Sequence, residues 1–176
     1  MVEIHKTYDK ALFEPLHQLL LNVAVPTKSV DSNRRGFPLK HRAMVLGVTR
    51  GRYNGVVGLS YCSKKYPKIY AEVLKLGQLL CPFPFTSIHL NNNVICPKHL
   101  DSKNVGRSML VSFGDYEGCN IVVQGVTYDA KHTPLIFNGA ELEHWNTDDL
   151  KGNKYSLVFY NAKFPTPIEP VGGDSP

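Results

Sequence analysis

The sequence predicts an α+β fold, mainly β, in which early helices pack on a β-sandwich or jelly roll. Three observations predict it. Two apolar stretches with helical spacing lie before residue 81. After Pro84 the pattern changes to short β-rich runs with turn residues between them. The chain has 176 residues and shows no internal repeat or low-complexity segment, which suits one domain with a core of its own.

The elements follow in order. Asp9 is placed to cap a first helix that carries Leu12, Phe13, Leu16, Leu19, Leu20 and Val23, with Pro15 shifting or kinking its start. Residues 25–40 contain Pro26, Ser29, Asp31, Ser32, Asn33, Gly36 and Pro38 and read as a loop. Residues 42–49 read as a strand. A second helix begins near Pro67, with Ile69, Tyr70, Val73, Leu74, Leu76 and Leu80 as its apolar set and Gly77 weakening its last turn. Strand-like runs follow at 85–90, 109–113, 121–123, 135–137 and 155–160. This gives a domain over residues 1–163 with a β core at about 84–161. The remaining residues, 164–176, are rich in proline and glycine and are expected to form a flexible tail.

Apolar residues make up 43% of the chain and charged residues 20%, the balance of an ordinary globular protein. No apolar run approaches the roughly 20 residues a membrane helix needs. The start, MVEIHKTYDK, lacks the apolar centre of a secretion signal, and Cys62, Cys81, Cys96 and Cys119 form no CxxC pair. An intracellular chain with reduced thiols, nuclear or cytoplasmic and not secreted, is the expectation. The net charge of +5 is local: residues 28–52 carry +6, leaving the rest at −1. Within that stretch Arg34, Arg35, Arg50 and Arg52 are candidates for phosphate contacts with a nucleic acid, although a solvated basic loop has the same composition.

The chemistry centres on HLD at 99–101. In an extended segment residues i and i+2 face the same way, so His99 and Asp101 are able to offer an imidazole nitrogen and a carboxylate oxygen to one ion. His144, between the apolar run 135–137 and the strand-like KYSLVFY, completes a set of two histidines and one carboxylate. On Fe(II) such a facial triad leaves positions for a bidentate cosubstrate and O2. Taken singly, each residue has a plain alternative: a surface histidine, a turn acid in DSKN, a loop histidine in ELEHWN. Lys154 and Ser156 strengthen the set. A cation and a hydroxyl on one strand face suit the distal carboxylate of 2-oxoglutarate.

The stretch FTSIHLNNNVICPKHLDSKNVGRSMLVSFGDYEGCNIVV resembles the double-stranded β-helix oxygenases of the TET/JBP group. The matching motif residues are His99, Asp101, Asn104, Gly106, Gly114, Tyr116 and Gly118. TPLIFNGAELEHWNTDDLKGNKYSLVFYN is similar to the distal half of that group, with His144 as the second histidine and Lys154 and Ser156 in its R-x-S pair. The resemblance spans roughly 84–161. It implies a cupin-like double-stranded β-helix supported by N-terminal helices, and a dioxygenase using Fe(II), 2-oxoglutarate and O2. The implied substrate is the methyl group of a 5-methylpyrimidine (5-methylcytosine or thymine) in nucleic acid, flipped into the pocket if it lies in a duplex. Asn104 is then a candidate for contacting a substrate edge.

Two departures stand out. Lys154 occupies a place where the group usually has arginine, and collagen-type prolyl hydroxylases use lysine there, which leans toward a protein substrate. Cys119 occupies a turn position where glycine is common. The competing readings are a protein side-chain (prolyl-type) hydroxylase, a non-catalytic β-sandwich that binds through its basic loop, and a cupin-like metal enzyme without 2-oxoglutarate.

Overall fold

The computed structural model describes residues 1–29, 40–51 and 53–173. The chain begins with a short strand β1 (Glu3–Ile4), then a single 3-10 turn at Lys10–Leu12 and helix α1 (Glu14–Leu21). Asp9 caps the turn, its Oδ1 accepting from Ala11 N at 2.8 Å. The single helix expected from Asp9 is thus divided, because Pro15 lacks an N–H and takes a first-turn position of a new helix.

Strands β2 (Thr27–Ser29), β3 (Lys40–Arg50) and β4 (Val57–Leu59) follow, then α2 (Tyr61–Lys65) and α3 (Pro67–Leu80). β2 lies in the stretch expected to be loop. Its extended form comes from a partner, the register Thr27↔Arg42 to Ser29↔Lys40 on β3, rather than from its own pattern. The remaining strands are β5 (Ser87–Asn92), β6 (Asn104–Glu117), β7 (Ile121–Val123), β8 (Val126–Tyr128), β9 (Leu135–Phe137), β10 (His144–Asn146) and β11 (Lys151–Ala162).

All named strand pairings are antiparallel. The large sheet runs β1-β9-β6-β11-β5-β3-β2, with β4 also on β3, and the small sheet runs β10-β7-β8. The large sheet therefore draws strands from well before residue 84, where the sequence motifs begin. This is the jelly-roll arrangement expected, with helices supporting the larger sheet.

Period-two alternation decides what each face of the large sheet does. On β11, Tyr155, Leu157 and Phe159 face the helices and join Phe13, Leu16, Leu20, Val73, Leu76 and Leu80 in the main core. Burying each such Leu or Phe side chain stabilises the fold by about 1.5–3 kcal/mol. Lys154, Ser156, Val158 and Tyr160 face the other way, into a cavity. A smaller apolar cluster of Ile121, Val123, Ala130, Leu135 and Phe137 lies beyond it.

Gly77 serves packing in α3. A Cβ there would lie 2.5 Å from Phe85 Cζ and 2.7 Å from Phe159 Cε1. Gly77→Ala is expected to destabilise the protein by about 1–2 kcal/mol net. Overpacking costs about 1–3 kcal/mol, and alanine's helix preference returns at most about 1. A denaturant midpoint that rises would contradict this packing.

The tail expected to be flexible is docked over residues 171–173. Val171 packs against the main core, Phe85 N donates to Gly172 O at 3.0 Å and Val171 N donates to Phe85 O at 2.9 Å. The reason is the Phe85 ring, which lies 2.6 Å from where a Gly172 Cβ would sit. No helix among the described residues is long and apolar enough to cross a membrane.

Candidate active site

His99, Asp101 and His144 come together because the segment that carries His99 and Asp101 is stitched to β10 and the turn before it. His99 N donates to His144 O and His144 N to His99 O, both at 3.1 Å. Asp101 N donates to Gly139 O at 2.8 Å, and Asn146 N to Cys96 O at 2.9 Å. The side chains converge as a result. His99 Nε2 is 3.5 Å from Asp101 Oδ1, and His144 Nε2 is 3.2 Å from Asp101 Oδ2.

The donor set suits a divalent metal. The three ligand atoms lie within 4.8 Å of one another. A metal about 2.1 Å from each of three mutually perpendicular ligands would set them roughly 3 Å apart, close to the two contacts above. Ring orientation agrees. His99 Nδ1 is 2.6 Å from Pro97 O and His144 Nδ1 is 2.8 Å from Leu142 O. A carbonyl only accepts, so in the neutral rings each Nδ1 carries the proton and each Nε2 turns its lone pair toward Asp101.

Electrostatics follows from this enclosure. Burial opposes ionisation of Asp101, but hydrogen bonds and charge from His144 and His99 in their protonated forms prevail and hold its carboxyl well below the usual range. Burial likewise disfavours the charged form of His144, yet Asp101 and the Leu142 carbonyl raise its pKa. Gly139 stands against the triad, since a Cβ there would be 3.0 Å from Asp101 Oδ2 and 3.3 Å from His144 Cε1.

The triad opens into a cavity of about 240 Å³ between the two sheets. Lys154 and Ser156 lie on its wall with the triad. Strand register separates the two groups. His144 packs on the ring of Phe137, which pairs with Ser108, whereas Lys154 pairs with Gly114. Between those β6 positions, Leu110 and Ser112 reach into the same cavity. Lys154 is buried, its Nζ donating to Cys119 O at 2.6 Å and lying 3.4 Å from Cys119 Sγ and 5.4 Å from the centre of the Tyr116 ring.

Asn104 also lines the cavity; its backbone N donates to Asp101 O at 2.9 Å. Arg50 does not join the group. It is exposed beside the β3–β4 turn, where its Nε donates to Gly55 O at 3.3 Å. Arg34, Arg35 and Arg52 lie outside the described residues.

Sequence reasoning missed His41, His89, Asn91 and Tyr160, all on the cavity wall. A signal was present in SIHLNN, where His89 and Asn91 alternate with the core residues Ile88 and Leu90. A polar residue at every second position of a strand buried on both faces marks a wet cavity. Burial and then the charge of Asp101 push the Tyr160 phenol up to about 12, so it stays protonated at neutral pH.

No family model matches the chain, and no curated protein matches it in sequence. Solved structures do. NgTET1 in complex with 5mC DNA aligns with a TM-score of 0.63 at 11% identity, over 92% of this chain and 72% of that one. An oxidoreductase of the 2OG-Fe(II) oxygenase family from Burkholderia pseudomallei aligns with a TM-score of 0.61 at 15% identity, over 94% of this chain and 88% of that one. JOX2 in complex with 2OG, Fe and JA aligns with a TM-score of 0.53 at 14% identity, over 97% of this chain and 70% of that one. At these identities the likeness establishes a shared fold, the jelly roll of 2OG-Fe(II) oxygenases.

Proposed function

We propose that the chain is an Fe(II)- and 2-oxoglutarate-dependent dioxygenase that hydroxylates a C–H bond, and that its substrate is the methyl group of a 5-methylpyrimidine in nucleic acid. The observation that carries the first part is the sharing of one cavity by the triad His99, Asp101 and His144 and the buried cation Lys154. In this reading His99, Asp101 and His144 hold Fe(II), and Lys154 with Ser156 takes the distal carboxylate of 2-oxoglutarate.

The bound iron and keto acid supply the oxidising power: O2 and 2-oxoglutarate are consumed, succinate and CO2 leave, and a substrate C–H becomes C–OH. The protein's part is placement. The backbone bonds to Pro97 and Leu142 fix the two imidazole rings so that Nε2 faces the metal position. Asp101 stays ionised and adds the negative charge a divalent ion needs. Lys154 presents its ammonium from a wall that excludes bulk water.

Support for the nucleic-acid substrate is the likeness to the fold of NgTET1, whose structure holds 5mC DNA, together with the +6 stretch at residues 28–52. Lys154 favours a second reading, hydroxylation of a protein side chain such as proline, because a lysine anchor is what the prolyl hydroxylases use. One experiment separates them. The protein is incubated with Fe(II), 2-oxoglutarate and O2 beside oligonucleotides containing 5-methylcytosine or thymine, methylated RNA, or proline-rich peptides. Products are then read by mass spectrometry. The expected result is a gain of one oxygen on the 5-methyl group, with substrate affinity that falls steeply as salt rises. Oxygen gain only on peptides would establish the second reading. Absence of succinate under every condition would leave a non-catalytic binding module.

A further inference from the structure

The two departures Lys154 and Cys119 are in contact. Cys119 adopts φ +51, a left-handed conformation that glycine takes without strain and a residue with a side chain rarely adopts. Its side chain is nevertheless buried, at 1% exposure. The turn is fixed by Asp149, whose Oδ1 accepts from Cys119 N at 2.8 Å and from Thr147 Oγ1 at 2.6 Å. From that turn Cys119 directs two acceptors at Lys154 Nζ, its carbonyl at 2.6 Å and its sulfur at 3.4 Å. The thiol lies 3.9 Å from Val94 O, a distance that suits a weak S–H donation, and Val94 itself lines the cavity.

An ammonium has three N–H donors. With two of them turned toward Cys119 and the face of the Tyr116 ring 5.4 Å away, the cavity that Lys154 lines is the space open to a ligand of the third. We propose that Cys119 is a positioning residue that orients Lys154 toward the cosubstrate carboxylate, and that the thiol fills the room a longer, forked anchor would need. This rests on the reading of Lys154 as the cosubstrate anchor. It turns two separate substitutions into one coupled pair: lysine is workable at 154 because cysteine stands at 119.

The test is a double-mutant cycle read by calorimetric titration of 2-oxoglutarate into the Mn(II)-loaded protein, with KM for 2-oxoglutarate as a second readout. Cys119→Gly relieves the backbone conformation and is expected to fold. It should raise the dissociation constant by roughly three- to tenfold, the loss of one neutral hydrogen-bond partner, with kcat little changed. Lys154→Arg alone should bind poorly, because the guanidinium meets the Cys119 sulfur. In the Cys119→Gly background, Lys154→Arg should recover to within about threefold of the unaltered protein.

A Cys119→Gly protein with unchanged affinity would overturn the proposal. So would an effect of Lys154→Arg that is the same in both backgrounds. The underlying reading is tested separately by Lys154→Met. If that variant keeps full affinity, Lys154 is not the anchor. If it loses affinity while the cycle shows no coupling, only the positioning role of Cys119 fails. Absence of 2-oxoglutarate binding by the unaltered protein would sink both.

Discussion

Asp101→Ala is expected to reduce 2-oxoglutarate turnover to background and to remove tight binding of Fe(II) or Mn(II). The carboxylate is the single anionic member of the triad, and each of its oxygens faces one histidine Nε2, at 3.5 and 3.2 Å. Without it, two neutral imidazoles remain, too few donors to hold a labile divalent ion against water. The fold should survive. Asp101 is partly exposed, at 25%, and the bridge between His99 and His144 uses only their backbone atoms. Metal titration followed by thermal unfolding checks this directly. The unaltered protein should gain stability with metal by mass action, and the variant should gain none. Asp101→Glu keeps the charge but moves the oxygens by one methylene, into a site that Gly139 keeps narrow. Partial metal binding with little turnover is the outcome expected of it. Full turnover by Asp101→Ala would place the metal elsewhere.

The convergence of His99, Asp101 and His144 was legible in the sequence because each stands in a short, chemically distinctive setting, HLD and EHWN. The extended i, i+2 geometry offered for His99 and Asp101 is only part of the cause of their convergence. The rest is the bridge between His99 and His144 across 45 residues of chain, which no local pattern reveals. β11, with its alternating faces, was also legible, and so were the wholly apolar runs of β7 and β9. β1, β2, β4, β8 and β10 were not, since each is short, lacks the unbroken apolar run of β7 and β9, and owes its form to a neighbour. Pro15 was visible as an interruption, but whether it bends a helix or starts a new one depended on the turn before it. The cavity wall of His41, His89, Asn91 and Tyr160 required the register of β3, β5 and β11, with His89 facing both Val45 and Val158. The partnership of Lys154 with Cys119 required the positive φ at the turn, which the residue type argues against.

Lys154→Met is expected to weaken 2-oxoglutarate binding by about 30- to 150-fold while leaving the protein at least as stable as before. The first part follows from the charge-assisted hydrogen bond it removes, worth about 2–3 kcal/mol in a buried setting. Ser156 remains as a single neutral donor and does not replace it. The second part follows from where the ammonium sits. Lys154 is 6% exposed, and its Nζ meets the neutral Cys119 carbonyl and sulfur and the face of Tyr116. Removing a charge from water costs several kcal/mol unless it is well compensated, and two neutral acceptors and a ring compensate only in part. Methionine has nearly the same length and no charge, so it relieves that cost and leaves one carbonyl short of a partner, a loss of about 1–3 kcal/mol. The balance falls near zero or in favour of the variant in the absence of ligand. With saturating metal and 2-oxoglutarate the order reverses, because only the unaltered protein gains the binding energy. Unfolding midpoints measured with and without the cosubstrate test both halves. A variant that unfolds earlier in both conditions would make Lys154 a structural residue; a crossing of the two midpoints would mark it as a residue held in the core for its ligand.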